Sequence, residues 1–247
     1  MEVKSNYLKG CRLRMFAGPN GSGKSTIFNQ ISKNFDTGIY LNADNLEKEL
    51  KLKSKIDLAK FIDLKDLNKE YFYNFIENHS LYKKAKNENY PLTLELENTY
   101  LKSFSPNSYE SALIVDFIRT ILINQNKKIS FETVMSHKSK IDVLNLAKSK
   151  GYKTYLYFVG TESEEINISR VEQRVKLDGH YVSKDKIIER YYKSLNLLKK
   201  AVKSSFRSFI FDNSGIKSKL ILEVEEGKIV IYHDSKIPKW VDKYLLS

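Results

Sequence analysis

Short apolar runs separated by polar turns set the architecture of this chain. Leu13 to Ala17, apolar except at Arg14, reads as a buried strand, and Ile27 to Ile31 opens a helical pattern. Asp36-Thr37-Gly38 reads as a turn before a second buried strand, Ile39-Tyr40-Leu41, which ends at Asn42-Ala43-Asp44. From about Leu46 to Gln125 there is no glycine, and the stretch reads mainly as tyrosine- and lysine-rich helices broken at Pro91 and Pro106. Strand signals resume at Ile129-Ser130-Phe131, followed by Glu132-Thr133. A helix through Ile141, Val143, Leu144, Leu146 and Ala147 stops before Gly151, and the strand Thr154 to Val159 follows. Thr161 and Glu164 stand at capping-box spacing ahead of a helix carrying Ile166, Ile168, Val171 and Val175. A further helix from near Ser183 carries Ile187, Ile188, Tyr191, Leu195 and Leu198. Ser208 to Phe211 reads as a core strand ending at Asp212-Asn213-Ser214-Gly215, and a hairpin over about 219–233 turns at Glu225-Glu226-Gly227-Lys228.

Between the first strand and the first helix lies Gly18-Pro19-Asn20-Gly21-Ser22-Gly23-Lys24-Ser25, with Thr26 after it, a complete G-x-x-x-x-G-K-[ST] loop. The chemistry needs this strand-loop-helix context, which a chance glycine turn would lack. Glycines let backbone N–H groups converge on phosphates, Lys24 reaches the β- and γ-phosphates, and the Ser25 hydroxyl ligates Mg²⁺. The helix start adds its positive dipole end. ATP or GTP with Mg²⁺ is the ligand this segment predicts.

A phosphate loop does not by itself separate a kinase from an ATPase or a switch, so the discriminating residues lie elsewhere. In open α/β sheets the ligand crevice lies outside the carboxyl ends of the strands. Asp44 falls at such an end, where a carboxylate can orient an acceptor hydroxyl and take its proton; its other reading is the cap of a helix beginning at Asn45. Glu132, directly after an apolar strand, can bind acceptor hydroxyls or hold a Mg²⁺-bound water, or cap the following helix. Arg170 and Arg174, four apart on one helical face, with Arg190 on the next helix, suit a lid that neutralises a transferring phosphoryl group, or equally a solvated face interleaved with Glu164, Glu165 and Glu172. His137 and His180 have no metal-ligand spacing.

Composition narrows the partners. With 247 residues the chain is expected to be one large α/β domain. No apolar stretch approaches the roughly 20 residues of a membrane span, so no membrane partner is expected. Met1 to Asn6 lacks a secretory apolar region, and the single cysteine, Cys11, cannot form an internal disulfide; a reducing cytoplasm fits both. The formal charge of +12 comes from 42 basic against 30 acidic residues. Lysine clusters such as Lys199, Lys200 and Lys203 alternate with apolar positions as solvated helix faces do, and a nucleic-acid surface stays open beside that reading.

Taken together, the motifs resemble the zeta-toxin-like P-loop kinase family. The resemblance rests on Ala17 to Thr26, Leu41-Asn42-Ala43-Asp44, Ser130-Phe131-Glu132-Thr133, Gly151 to Thr161, Asn167-Ile168-Ser169-Arg170-Val171, Gly179-His180 and Phe211 to Gly215. It covers about 12–45 and 129–216. It implies a three-layer α/β P-loop NTPase, nucleoside-kinase-like fold with a mainly parallel sheet, a helical insertion over about 47–125 and a helical lid over about 162–190. It also implies ATP, Mg²⁺ and a UDP-N-acetyl amino sugar as acceptor, with a toxin role and an antitoxin protein as partner. Carried over by position, Gly18 to Thr26 and Asn213 would bind nucleotide, with Asn213 near the adenine. Lys24 would hold phosphates, Ser25 the metal, and Asp44 would act as base; Glu132 and Thr133 would touch the acceptor, and Arg170 and Arg174 would be lid arginines. The family's toxins carry a Glu-x-Thr-x-Arg pattern at the acceptor strand, whereas here Thr133 directly follows Glu132 and Ser136-His137 stands where an arginine would. Two further readings are a nucleic-acid-directed kinase or ATPase using the basic surface, recognisable by steep salt dependence, and a non-enzymatic ATP-binding module whose tyrosine-rich insertion binds a protein.

Overall fold

The computed structural model describes residues 7–177 and 181–247. In chain order the elements are β1 (Arg12–Ala17), α1 (Lys24–Ser32), β2 (Ile39–Leu41), α2 (Ala43–Lys53), β3 (Lys55–Asp57), α3 (Lys69–Asn78), α4 (Ser80–Asn87), β4 (Glu95–Glu97), β5 (Tyr100–Lys102), α5 (Ser108–Asn124) and β6 (Ile129–Thr133). They continue with α6 (Ser139–Ser149), β7 (Lys153–Gly160), α7 (Glu164–Val175), α8 (Lys184–Ser204), β8 (Arg207–Asp212), β9 (Lys219–Glu225), β10 (Lys228–Tyr232) and α9 (Lys239–Val241), which runs on into a π-helical turn at Asp242–Leu246. These elements form two compact units, Met1–Gly38 with Ser130–Ser247, and Ile39–Ile129.

In the first unit the strands run β10-β9-β8-β7-β1-β6 across a mostly parallel sheet. β1 pairs with β7 and β7 with β8 in parallel, while β9 and β10 return antiparallel as the expected hairpin. Leu13, Met15, Phe16 and Ala17 are all fully buried, the condition of a central strand covered on both faces. The register places Phe16 beside Tyr157 and Tyr157 beside Phe209, and their rings stack at centroid distances of 4.7 and 4.9 Å. Because β1, β7 and β8 run the same way in register, their carboxyl ends finish along one edge. Gly18, Thr161 and Asn213 leave the sheet there. α8 is amphipathic and buries Ile187, Tyr191, Leu195 and Leu198 against neighbours that include α6, α7 and β7.

The second unit is built on α5, whose apolar face includes Leu113, Ile114, Phe117, Ile118 and Leu122, all fully buried. Its start is capped by Asn107, whose Oδ1 accepts from the N–H groups of Tyr109 and Glu110, immediately after the break at Pro106. α4 ends at Asn87, short of Pro91. The reading of this stretch as mainly helical misses a small antiparallel sheet of order β3-β5-β4. Each of these strands has three residues and buries only its middle one (Ile56, Leu96 or Leu101), so no two-residue period develops along the chain. Asp116 lies between Arg119 Nη2 at 2.7 Å and His79 Nε2 at 3.4 Å, an ion-pair group on the helical side of this unit.

Candidate phosphate-binding site

The phosphate loop leaves β1 at Gly18, turns through Gly21 and Gly23, and enters α1 at Lys24, as its spacing predicts. All three glycines have positive φ, +143°, +74° and +96°, which L side chains rarely adopt. Space demands glycine at Gly18 and Gly21 as well, where backbone oxygens stand in the way, whereas at Gly23 the obstruction is the end of a side chain. A Cβ on Gly18 would meet Val159 O at 2.1 Å, one on Gly21 would meet Asn167 O at 2.5 Å, and one on Gly23 would meet Asn213 Nδ2 at 2.3 Å. Neighbouring elements therefore press directly on the outside of the loop.

Hydrogen bonds fix that outside surface. Lys24 Nζ donates to Pro19 O at 2.9 Å, and Ser22 N closes a turn onto the same carbonyl at 3.2 Å. Asn167 Nδ2 donates to Asn20 O at 2.7 Å, and Asn213 Nδ2 donates to Ser22 O at 2.8 Å. Among the described residues the Ser22 hydroxyl is buried without a hydrogen-bond partner, and it lies 2.9 Å from where a Cβ on Gly18 would be. In the first turn of α1, Thr26 N and Ile27 N donate back to Gly23 O at 3.1 and 3.2 Å, and the N–H groups ahead of them fall where a helix start receives an anion. The loop thus fits a polyphosphate.

Ser25 Oγ donates to Glu132 Oε2 at 2.9 Å, so the helix start is tied to the strand-end carboxylate of β6. This pair offers a hydroxyl and a carboxylate, hard oxygen donors of the kind Mg²⁺ takes together with nucleotide phosphates. Among the described residues no group of three or more His, Cys, Asp or Glu side chains could hold a metal ion. Thr133 closes β6; its Oγ1 accepts from Met135 N at 3.2 Å, and buried Met135 takes a left-handed φ of +56° in the turn that follows.

Around the carboxyl end of β8, Asn213 N donates to Gly160 O at 2.8 Å. Arg170 spans this turn, donating from Nη1 to Asn213 O at 2.7 Å and from Nη2 to Gly215 O at 3.2 Å. Its guanidinium is therefore engaged with backbone carbonyls, whereas Arg174, one turn on, lies on an exposed part of α7. Asp212 Oδ1 accepts from Ser214 Oγ at 2.7 Å and from Trp240 Nε1 at 2.8 Å, and the Trp240 ring lies where a Cβ on Gly160 would be, at 2.6 Å. The predicted capping box is not formed. Ser163 is the N-cap of α7, and Thr161 Oγ1 is turned inward toward Asn167 Oδ1. Tyr191 supports this corner by donating to Thr161 O at 2.7 Å, and burial raises its phenol above the ordinary range, so it stays a neutral donor.

Asp44 belongs to the second unit, where it is exposed in the first turn of α2. It is not the helix cap. That role falls to Asn42, whose Oδ1 accepts from Asn45 N at 3.2 Å, and α2 begins at Ala43. Gly179 and His180 lie outside the described residues. Sequence reading missed Asn167, Thr161 and Trp240. Asn167 does leave a signal, a fully buried polar residue beside Ile168 and Val171 on the inward stripe of an amphipathic helix.

Comparison with known proteins places this geometry. Among solved structures, the chain superposes on one from the AvrRxo1-ORF1:AvrRxo1-ORF2 complex with sulphate ions at a TM-score of 0.55 and 17% identity, covering 95% of this chain and 64% of that one. It also superposes on one from the PezAT chromosomal toxin-antitoxin system of Streptococcus pneumoniae at a TM-score of 0.51 and 13% identity, covering 99% and 82%. These likenesses show the fold. An uncharacterized protein of Haemophilus influenzae is 33% identical over 69 residues, 28% of this chain and 49% of that protein, so the chain spans about half the length of the curated relative it matches. No helix among the described residues is long and apolar enough to cross a membrane. The family model for zeta toxins matches residues 95–236, more than half of the chain, and the protein belongs to the zeta toxin family.

Proposed function

We propose that this protein is an ATP-dependent kinase that moves the γ-phosphate to a hydroxyl of a small-molecule acceptor, with a UDP-N-acetyl amino sugar as the leading acceptor class. The observation that carries the reading is the 2.9 Å hydrogen bond between Ser25 Oγ and Glu132 Oε2, which joins a phosphate-loop hydroxyl to a strand-end carboxylate. In this reading Ser25 and Glu132 hold Mg²⁺, which neutralises phosphate charge when bound. Gly18 to Thr26 cradle the polyphosphate. Lys24 leaves Pro19 O for the β- and γ-phosphate oxygens, and Glu132 with Thr133 borders the acceptor. Asp44, assigned by likeness to the family, takes the proton of the acceptor hydroxyl as its oxygen bonds to the γ-phosphorus. The bond from that phosphorus to the bridging oxygen breaks, and ADP leaves. Arg174, exposed on α7, is assigned to the transferring group by likeness to the family. We place the reaction in the cytoplasm, in keeping with a sequence that holds a single cysteine, Cys11, and so no internal disulfide. Likeness to the family supports a toxin role with an antitoxin partner.

The test is mass spectrometry of a metabolite extract incubated with the protein, ATP and Mg²⁺. The expected product is a UDP-N-acetyl amino sugar heavier by one phosphate, absent with Lys24→Ala. An unchanged extract refutes the kinase reading, and a product on added polynucleotide, with turnover falling steeply in salt, would move the acceptor to nucleic acid.

A further inference from the structure

In a trans peptide the C=O of one residue and the N–H of the next point in opposite directions. Whatever holds a loop carbonyl outward therefore aims the following N–H inward. Asn167 Nδ2 holds Asn20 O, and the N–H aimed by that peptide is Gly21's; Asn213 Nδ2 holds Ser22 O, and the N–H aimed is Gly23's. We infer that Asn167 and Asn213 are positioning residues that orient the Gly21 and Gly23 amides toward a bound polyphosphate without touching it themselves. The inference deepens the nucleotide-binding part of the proposed function and rests on it.

Both donors are themselves fixed. Asn167 is fully buried, and its Oδ1 accepts from Thr161 Oγ1, which fixes the amide so that Nδ2 faces the loop. Its own backbone oxygen fills the space where a Gly21 side chain would be. Asn213 is held from behind by Arg170, whose two nitrogens grip Asn213 O and Gly215 O, and from the sheet by Gly160 O. Asn167 and Arg170 lie three apart on α7, so one helix face sets both supports. This changes the picture of α7: its first half is anchored to the loop and is not part of a freely closing lid. Displacing α7 would turn the loop amides away, coupling helix position to phosphate affinity.

The experiment follows the Gly21 and Gly23 amide resonances of the full chain during titration with Mg·ADP. Asn213→Ala, at a half-buried position, is expected to remove the ADP-induced shift of Gly23, retain that of Gly21, and weaken ADP about tenfold, the size of one lost positioning hydrogen bond. Asn167→Asp keeps the acceptor for Thr161 but loses the Nδ2 donor, and is expected to remove the Gly21 response selectively. Loss of the Gly21 response in Asn167→Asp, which keeps the link to Thr161, assigns the effect to the donor. Variants that bind ADP as the unmodified protein does, with both glycine shifts intact, overturn the inference alone. An unmodified protein whose loop amides ignore Mg·ADP overturns the phosphate-binding reading as well.

Discussion

Replacing Gly21 with alanine measures how tightly α7 is pressed onto the phosphate loop. Gly21 has φ +74°, and a left-handed backbone costs a residue with a Cβ about 1–2 kcal/mol. The new Cβ would also lie 2.5 Å from Asn167 O and 3.2 Å from Asn167 C and Cα. These are backbone atoms of a helix, which cannot swing aside, so overpacking adds about 1–3 kcal/mol. The expected total is about 2–5 kcal/mol. Gly10 supplies the control: its φ is +84°, yet nothing lies within 4 Å of its added Cβ, so Gly10→Ala carries the backbone cost alone. The reduced freedom of the unfolded chain is common to both variants and cancels in their difference. Urea unfolding should therefore separate them by about 1–3 kcal/mol. The strain has a second outlet, since α7 can lift from the loop, and calorimetric titration with ADP reads that loss as weaker binding. Gly21→Ala matching Gly10→Ala in both stability and ADP affinity would refute the close packing.

Three further outcomes are expected. Lys24→Ala should leave a folded protein by circular dichroism with no detectable phosphoryl transfer and much weaker ATP binding, because the point cation at the β- and γ-phosphates is gone; normal turnover in that variant would sink the kinase assignment. Asp44→Asn should keep ATP affinity while kcat falls by about a hundredfold or more, as for a lost general base; since Asn42 already caps α2, no loss of thermal stability is expected, and a stable variant with normal turnover would remove Asp44 from the chemistry. Arg170→Ala should act mainly through nucleotide affinity, and Arg174→Ala mainly through single-turnover rate, because Arg170 grips Asn213 O and Gly215 O while Arg174 does not share those contacts. The same effect from both would contradict that division, and lysine at 170 should restore only part of the affinity, lacking the two-pronged donor geometry.

The parts legible in the sequence are those whose signal is local. The phosphate loop, its flanking β1 and α1, the β7 strand and the terminal hairpin each declare themselves within about ten residues, by glycine spacing, apolar runs or turn chemistry. Glu132 is legible for the same reason, as the first charge after an apolar strand. Asn42 outcompetes Asp44 for the cap because its side chain reaches an N–H three residues on, a choice of one residue that propensity does not resolve. Thr161 has the spacing of a cap but a buried partner in Asn167, whose only local signal is a polar side chain on the inward stripe of α7. Arg170 looks like a lid arginine because the carbonyls it grips are 43 and 45 residues away. β3, β4 and β5 are too short to carry any period.

The same separations bear on how the protein is made. The phosphate loop leaves the ribosome before its supports, since the donor to Asn20 O comes 147 residues later and the donor to Ser22 O follows that carbonyl by 191. Trp240, which braces Asp212, comes later still. Contacts closed over such distances form slowly, and none can form before the residues that make them have been synthesised. A nascent or prematurely terminated chain therefore has the complete G-x-x-x-x-G-K-S sequence but no donors to turn its carbonyls outward. With Asn167 and Asn213 as the inferred positioning residues, the phosphate nest is complete only once the turn after the strand ending at Asp212 has been made.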